Sequence, residues 1–300
     1  MIDIKNVALI TENEENVDAT FFTPKVTAQE KVKAVVVIAP AMGVDKVFYQ
    51  DFSLWLANRG YVVITFDYSS MGSSNAVSYK KSKATITDWA MFDCKEILKQ
   101  AASQADGKPI YWIGHSLGGQ ITAMIPNISL VTKIVTIASG SGYWRKNATA
   151  LKKRVWFLWY FVAPILLKSL GYFPGKRLGM VGNLPFGVMS QWRKWCLHPQ
   201  YLLGVENHAI KECYQKFNKP ITSLSFSDDE LMSIENINSL HSFFGDSATK
   251  MHRLSPEDVN AKRIGHFGFF KKTFQDSLWQ LHLLPELDIT NNYLTEKISE

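Results

Sequence analysis

Three hundred residues, 46% of them hydrophobic, can bury one large core, and the length fits one domain with an insertion or two domains. That composition excludes a disordered chain, and the three cysteines, Cys94, Cys196 and Cys213, are too few and too scattered for a disulfide framework or a clustered zinc site. The net charge of +6 is uneven: Ser141 to Gln200 holds ten Lys or Arg and no Asp or Glu, so the rest of the chain is net negative.

The chain opens on Met1-Ile2-Asp3-Ile4-Lys5, which reads as a strand and not as a basic-then-apolar leader, so the expected location is cytoplasmic. Strands are predicted near Ile4–Thr11 and Ala19–Thr23, joined by a polar turn at Glu12–Asn16. "AVVVIAP" (Ala34–Pro40) and "YVVITFDY" (Tyr61–Tyr68) are continuous apolar runs of the kind buried on both faces of a parallel sheet, and Phe48–Asn58 between them has helical spacing. After a Ser/Gly-rich loop, Thr87–Ala101 reads as a helix with Asp88, Asp93 and Glu96 outward and Trp89, Phe92, Ile97 and Leu98 inward. "PIYWIG" is a strand, "SLGGQITAMI" a helix start, and "KIVTIAS" (Lys133–Ser139) another strand. The alternation resumes with strands at Ile221–Ser227 and Thr249–Ser255 and an amphipathic helix within Phe269–Leu284. Strand alternating with helix predicts an α/β fold, a mostly parallel twisted sheet covered on both faces.

The basic segment interrupts that pattern, so the predicted organisation is a core of 1–140 and 218–300 with an inserted cap at 141–217. The insertion holds five of the nine tryptophans. Its run "VWFLWYFVAPILL" (Val155–Leu167) is too short to span a bilayer, contains Pro164 and is bracketed by Lys152-Lys153-Arg154 and Lys168. Two readings stand: a helix packed over the core, or an interfacial helix on anionic lipid.

The chemistry centres on Gly114-His115-Ser116-Leu117-Gly118. A G-x-S-x-G pattern alone is weak, but this one follows a strand and opens a helix, the setting of a nucleophile elbow. Gly114 and Gly118 remove side chains that would clash in such a turn, and Gly119 lets the helix pack closely. A hydroxyl nucleophile needs a base, and the base an orienting acid, in the chain order Ser, acid, His. Asp228 and Asp229 follow the strand "ITSLSFS"; Asp229 is the favoured acid and Asp228 the alternative. Chain order removes His115, His198 and His208 as the base. His266, in the Gly-flanked loop "RIGHFGFF", is the choice over His252 in a strand and His282 in the terminal helix. Oxyanion donors are expected from Leu117 N–H and from Met42 N–H in the loop after "AVVVIAP", with Ala41 as the alternative. No His/Asp group has metal-ligand spacing and no G-x-G-x-x-G follows a strand, so no metal or cofactor is expected.

At this point "APAMGV", "FDYSSMGSS", "GHSLGGQ", "GSGYWR", "GYFPGKRLG", "QWRKWC", "SFSDDE" and "IGHFGFF" together resemble the α/β-hydrolase family, and within it a bacterial subgroup of predicted hydrolases carrying a lid. The resemblance covers nearly the whole chain and implies a Ser-acid-His hydrolase with Ser116, Asp229 and His266 in those roles. It departs from the wider family in the oxyanion loop, where Pro40-Ala41 replaces the usual His-Gly pair.

The leading expectation is hydrolysis of a carboxylic ester or thioester through an acyl-enzyme. The cap would bind the substrate, with Tyr143, Trp144, Arg145, Trp192, Arg193 and Trp195 as candidates: the aromatics favour an apolar acyl chain and the cations an anionic head. Acyl transfer or cofactor-free haloperoxidase-like chemistry uses the same triad, and a ligand-binding protein on the hydrolase scaffold is the alternative from another class. A small-molecule substrate and peripheral contact with anionic membrane are the expected partners. Nucleic acid is not, since no recognised motif accompanies the charge.

Overall fold

Ala34–Ala39 (β3) and Tyr61–Asp67 (β4) are buried at every position because they lie in the middle of an eight-stranded sheet. The computed structural model describes residues 1–25, 32–72, 79–180, 182–245 and 247–288; residues 73–78 of the Ser/Gly-rich loop lie outside the described residues. Ile2–Ile10 (β1) and Asn16–Pro24 (β2) form the predicted hairpin, and β2 pairs antiparallel with β4. The remaining strands are all parallel: Ile110–His115 (β5), Lys133–Ile137 (β6), Ile221–Phe226 (β9) and Thr249–Leu254 (β10). Spatial order is β1-β2-β4-β3-β5-β6-β9-β10. Short strands β7 (Tyr172–Phe173) and β8 (Leu184–Pro185) pair separately.

Period-two alternation divides the core. Val35, Val37 and Ala39 face Ile97, Leu98 and Ala101 of α3 (Lys95–Ala105), whereas Val36 and Ile38 face Phe52 and Leu56 of α1 (Gln50–Ala57) and Leu278 and Trp279 near the chain end. Every parallel strand therefore ends on the same edge, where crossover loops expose backbone amides and short side chains.

The helix before β5 departs from its sequence reading. It begins as α2 (Ile86–Asp88), capped reciprocally by Thr85 and Asp88, and passes through a π-helical turn, Trp89–Cys94, before α3. The i→i+5 turn delays the rotation of the helix face. Asp93 and Glu96, expected outside, are consequently buried, and Phe92 is only half-buried. The predicted C-terminal helix likewise becomes a 3₁₀ turn, Lys272–Phe274, and a π-helical segment, Gln275–Leu283.

Between β6 and β9 the chain makes α5 (Thr149–Phe157), a π turn (Leu158–Val162), α6 (Ala163–Leu170), α7 (Phe186–Leu197) and α8 (His208–Gln215). Trp159, Leu167, Trp195, Tyr201 and Tyr214 join the core on the α3 face of the sheet. No helix among the described residues is long and apolar enough to cross a membrane.

Candidate active site

Ser116 stands between β5 and the single-turn helix α4 (Leu117–Gln120) at φ 49°, ψ −108°. A non-glycine residue adopts this strained region only when its surroundings impose it. Here the imposing contacts are visible: Ser116 N–H completes the β5 ladder on Ile137 O at 2.9 Å, and Trp112 Nε1 donates to Gly118 O at 2.9 Å. A Cβ on Gly118 would overlap the Ala39 carbonyl, and one on Gly114 would overlap the Gly118–Gly119 peptide. The serine side chain makes no helix-capping bond, so its hydroxyl is not consumed by α4.

Three consecutive acids follow β9, and each takes a different part of one loop. Asp228 accepts from the backbone N–H of Ile264 (2.8 Å) and of Gly265 (3.1 Å). Asp229 accepts from His266 Nδ1, 2.9 Å from Oδ2 and 3.1 Å from Oδ1. Glu230 accepts from His266 N–H at 3.1 Å and pairs with Arg263 at 3.2 Å. Leu231 and Met232 N–H also donate to Asp229 Oδ1, at 2.8 and 2.9 Å. An acceptor-only carboxylate on Nδ1 makes that nitrogen the protonated one. The lone pair of neutral His266 then lies on Nε2, as a general base requires. Among the described residues neither Ser116 Oγ nor His266 Nε2 has a hydrogen-bond partner.

His115 points away from the edge into a ring cluster with Tyr49, Phe267 and Phe270. Burial, and secondarily the neighbouring His266, push its pKa well below the usual histidine value, so the ring is neutral. Its Nε2 donates to the His266 carbonyl at 3.1 Å, which leaves Nδ1 to accept from the Tyr49 hydroxyl at 2.9 Å. Tyr49 Oη in turn accepts from Ala41 N–H at 2.9 Å. One chain of bonds thus joins the loop after β3, the residue before Ser116 and the backbone of His266. Sequence reasoning placed His115 in packing but missed Tyr49, whose only signal was an aromatic at a helix start.

This chain corrects one expectation. Ala41 N–H is committed to Tyr49, so it is not free to donate to a reacting oxygen. Leu117 N–H and Met42 N–H make no hydrogen bond to a described residue, and both residues are buried at the strand edge. Tyr68 Oη on Pro40 O, at 3.2 Å, is a second brace on the Met42 loop.

The fold is shared with known proteins. The family model Hydrolase_4, described as serine aminopeptidase, S33, matches residues 30–167. A carboxyl esterase from Bacillus coagulans superposes with TM-score 0.61 at 15% identity, covering 97% of this chain and 99% of that one. DcsB gives 0.60 at 14%, with 99% and 100% covered; a soluble variant of monoglyceride lipase from Saccharomyces cerevisiae gives 0.58 at 16%, with 85% and 86%. The chain has the α/β-hydrolase fold. No curated protein matches it in sequence.

On this α/β-hydrolase fold the candidate substrate residues scatter. Tyr143 is buried four residues beyond Ser139, whose hydroxyl bonds Gly114 O at 3.2 Å. Trp144 is half-buried between the exposed Arg145, whose guanidinium lies 5.3 Å from its ring, and Tyr160. Trp192 packs edge-on to Trp159, and Arg193 Nε donates to Trp159 O. Trp195 does not fit a substrate role: its ring is fully buried against Tyr201 and its Nε1 donates to Glu206, so it packs the interior of the segment between β6 and β9.

Proposed function

We propose that this serine hydrolase cleaves a carboxylic ester or thioester through an acyl-enzyme on Ser116. The carrying observation is the buried Asp229–His266 pair on the edge that presents Ser116 in a strained turn. Ser116 Oγ attacks the carbonyl carbon as His266 Nε2 takes its proton. Leu117 N–H and Met42 N–H stabilise the oxyanion, and the leaving alcohol or thiol departs with the proton from Nε2. Water, deprotonated by the same nitrogen, then releases the acid.

Ester chemistry is favoured over removal of an amino-terminal residue for a reason of charge. An aminopeptidase substrate presents an ammonium group, and Ser141–Gln200 offers cations with no carboxylate. The same segment, proposed as a lid over 141–217, suits an apolar acyl chain with a neutral or anionic head. Ser116→Ala should reduce turnover of a short p-nitrophenyl ester by about 10⁴-fold or more while circular dichroism is unchanged. A fluorophosphonate should label wild type at Ser116 and not the variant. Undiminished turnover in the variant rejects the assignment, and an amino-acid p-nitroanilide turned over faster than esters would favour the peptidase reading.

A further inference from the structure

The helix that runs from α5 through its π turn to α6 has two apolar faces, and the fold covers only one. Trp159, Ala163 and Leu167 recur at i, i+4 spacing and are buried in the core. Phe157, Phe161 and Ile165 recur at the same spacing beside them, 55%, 45% and 62% exposed, and Trp156 and Tyr160 extend that face. The exposed rings touch one another: Phe157–Phe161 centroids are 5.6 Å apart, Trp156–Phe161 5.5 Å and Trp156–Tyr160 5.9 Å. They form a contiguous apolar patch of the kind that monomeric proteins seldom leave to water.

Cations bracket it. Lys153 and Arg154 are exposed at one end of the patch and Lys168 at the other. A groove of about 340 Å³ between α6 and α7 is lined by Pro164, Leu167, Lys168, Phe186, Arg193 and Lys194. None of these cations is in an ion pair among the described residues, and no acid occurs from Ser141 to Gln200. A second copy of the chain seated symmetrically on this face would bring like charges together. An acidic protein or nucleic acid would answer the charge but not the exposed aliphatic and aromatic centre.

We propose that this face docks on the surface of an anionic lipid bilayer, with Phe157, Phe161 and Ile165 in the headgroup-acyl boundary and Lys153, Arg154 and Lys168 on lipid phosphates. The helix lies in the membrane plane. Docking is independent of the reaction assigned to Ser116, although it would bring the site to lipid-dispersed esters.

Co-sedimentation tests it, with vesicles of phosphatidylcholine alone and of phosphatidylcholine mixed with phosphatidylglycerol. Wild type should sediment with the mixed vesicles and far less with phosphatidylcholine alone. Phe157→Ala/Phe161→Ala/Ile165→Ala and Lys153→Gln/Arg154→Gln/Lys168→Gln should each lower the bound fraction by about tenfold or more. Turnover of a soluble short ester should be unchanged in both, which separates lost docking from lost folding or lost chemistry. Failure of wild type to bind mixed vesicles overturns the proposal. So does undiminished binding by the apolar variant, which would mean charge adhesion elsewhere on a basic protein. If sedimentation velocity shows a wild-type dimer that the apolar variant dissociates, the occupant is a second copy and the lipid assignment is wrong.

Discussion

Outside Ser116, Asp229 and His266, Tyr49 ties together the most distant parts of the candidate site. Its single hydroxyl fixes Ala41, next to the proposed donor Met42, and His115, next to Ser116. Tyr49→Phe keeps the ring packing but leaves Ala41 N–H and His115 Nδ1 buried without partners, which costs about 1–3 kcal/mol. It should also loosen the loop that aims Met42, so kcat for a short ester should fall about tenfold or more with KM nearly constant. A folded variant with unaltered kcat would show that the bridge is structural only. Residue-level reading of the sequence narrowed seven histidines to His266 but left Asp228 and Asp229 both open. That ambiguity was inherent: neighbouring residues after a strand differ in side-chain direction, and direction depends on how β9 ends against the 263–266 loop. The structure puts Asp229 on the ring and Asp228 on the backbone of the loop.

At the scale of elements, the π-helical turn has an energetic consequence. It rotates Asp93 into the core, where Oδ2 accepts from Ser69 N–H at 2.7 Å and Oδ1 has no partner among the described residues. Burial, opposed by the bond from Ser69 and aided by Glu15 and Asp88, pushes its pKa up to about 8. Between about pH 4 and pH 8 the folded protein therefore holds a proton that the unfolded chain releases, so stability falls as pH rises through that window and levels off above it. Asp93→Asn removes the titration while keeping an acceptor for Ser69. Its Tm relative to wild type should be higher at pH 9 than at pH 5; an equal difference at both would mean that Asp93 does not titrate there. The sequence assigned this helix correctly and its face incorrectly, because 3.6-residue periodicity contains no signal for an inserted residue. The strands were more legible: buried β-branched runs specify themselves, and each predicted strand lies within a few residues of its place.

At the scale of the whole molecule, the two edges of the sheet divide the labour. The carboxyl edge holds the candidate site, and the amino edge holds Glu286. There Glu286 binds Lys133 Nζ at the start of β6 (2.6 Å), Lys250 Nζ at the start of β10 (2.7 Å) and Thr222 Oγ1 of β9 (2.8 Å). These partners outweigh burial and hold its carboxyl down at about 2. The folded pKa lies below the unfolded one, so this contribution is present above about pH 4.5 and is lost as pH falls towards 2. Glu286→Gln should lower Tm at pH 7, with the gap to wild type narrowing at pH 3. A gap independent of pH would assign the effect to packing. On the other edge, Gln120 ties α4 to the segment between β6 and β9, donating to Gly140 O at 2.8 Å and accepting from Tyr201 Oη at 2.9 Å. That segment is thus anchored through Tyr201 and Tyr214, and the α5–α6 helix keeps one apolar face exposed.

What the sequence indicated by itself was local or ordinal: buried strands from composition, the tight turn at Ser116 from two glycines around a serine, the histidine that meets Asp229 from chain order, and the basic segment from counting charges. What only the tertiary structure decided was mutual: which carboxylate meets the ring, that Ala41 N–H is already bonded, that Trp195 is interior, and which face of the aromatic helix is left uncovered. Each of those depends on where a distant segment lies, and distance across the fold is a property that no run of neighbouring residues encodes.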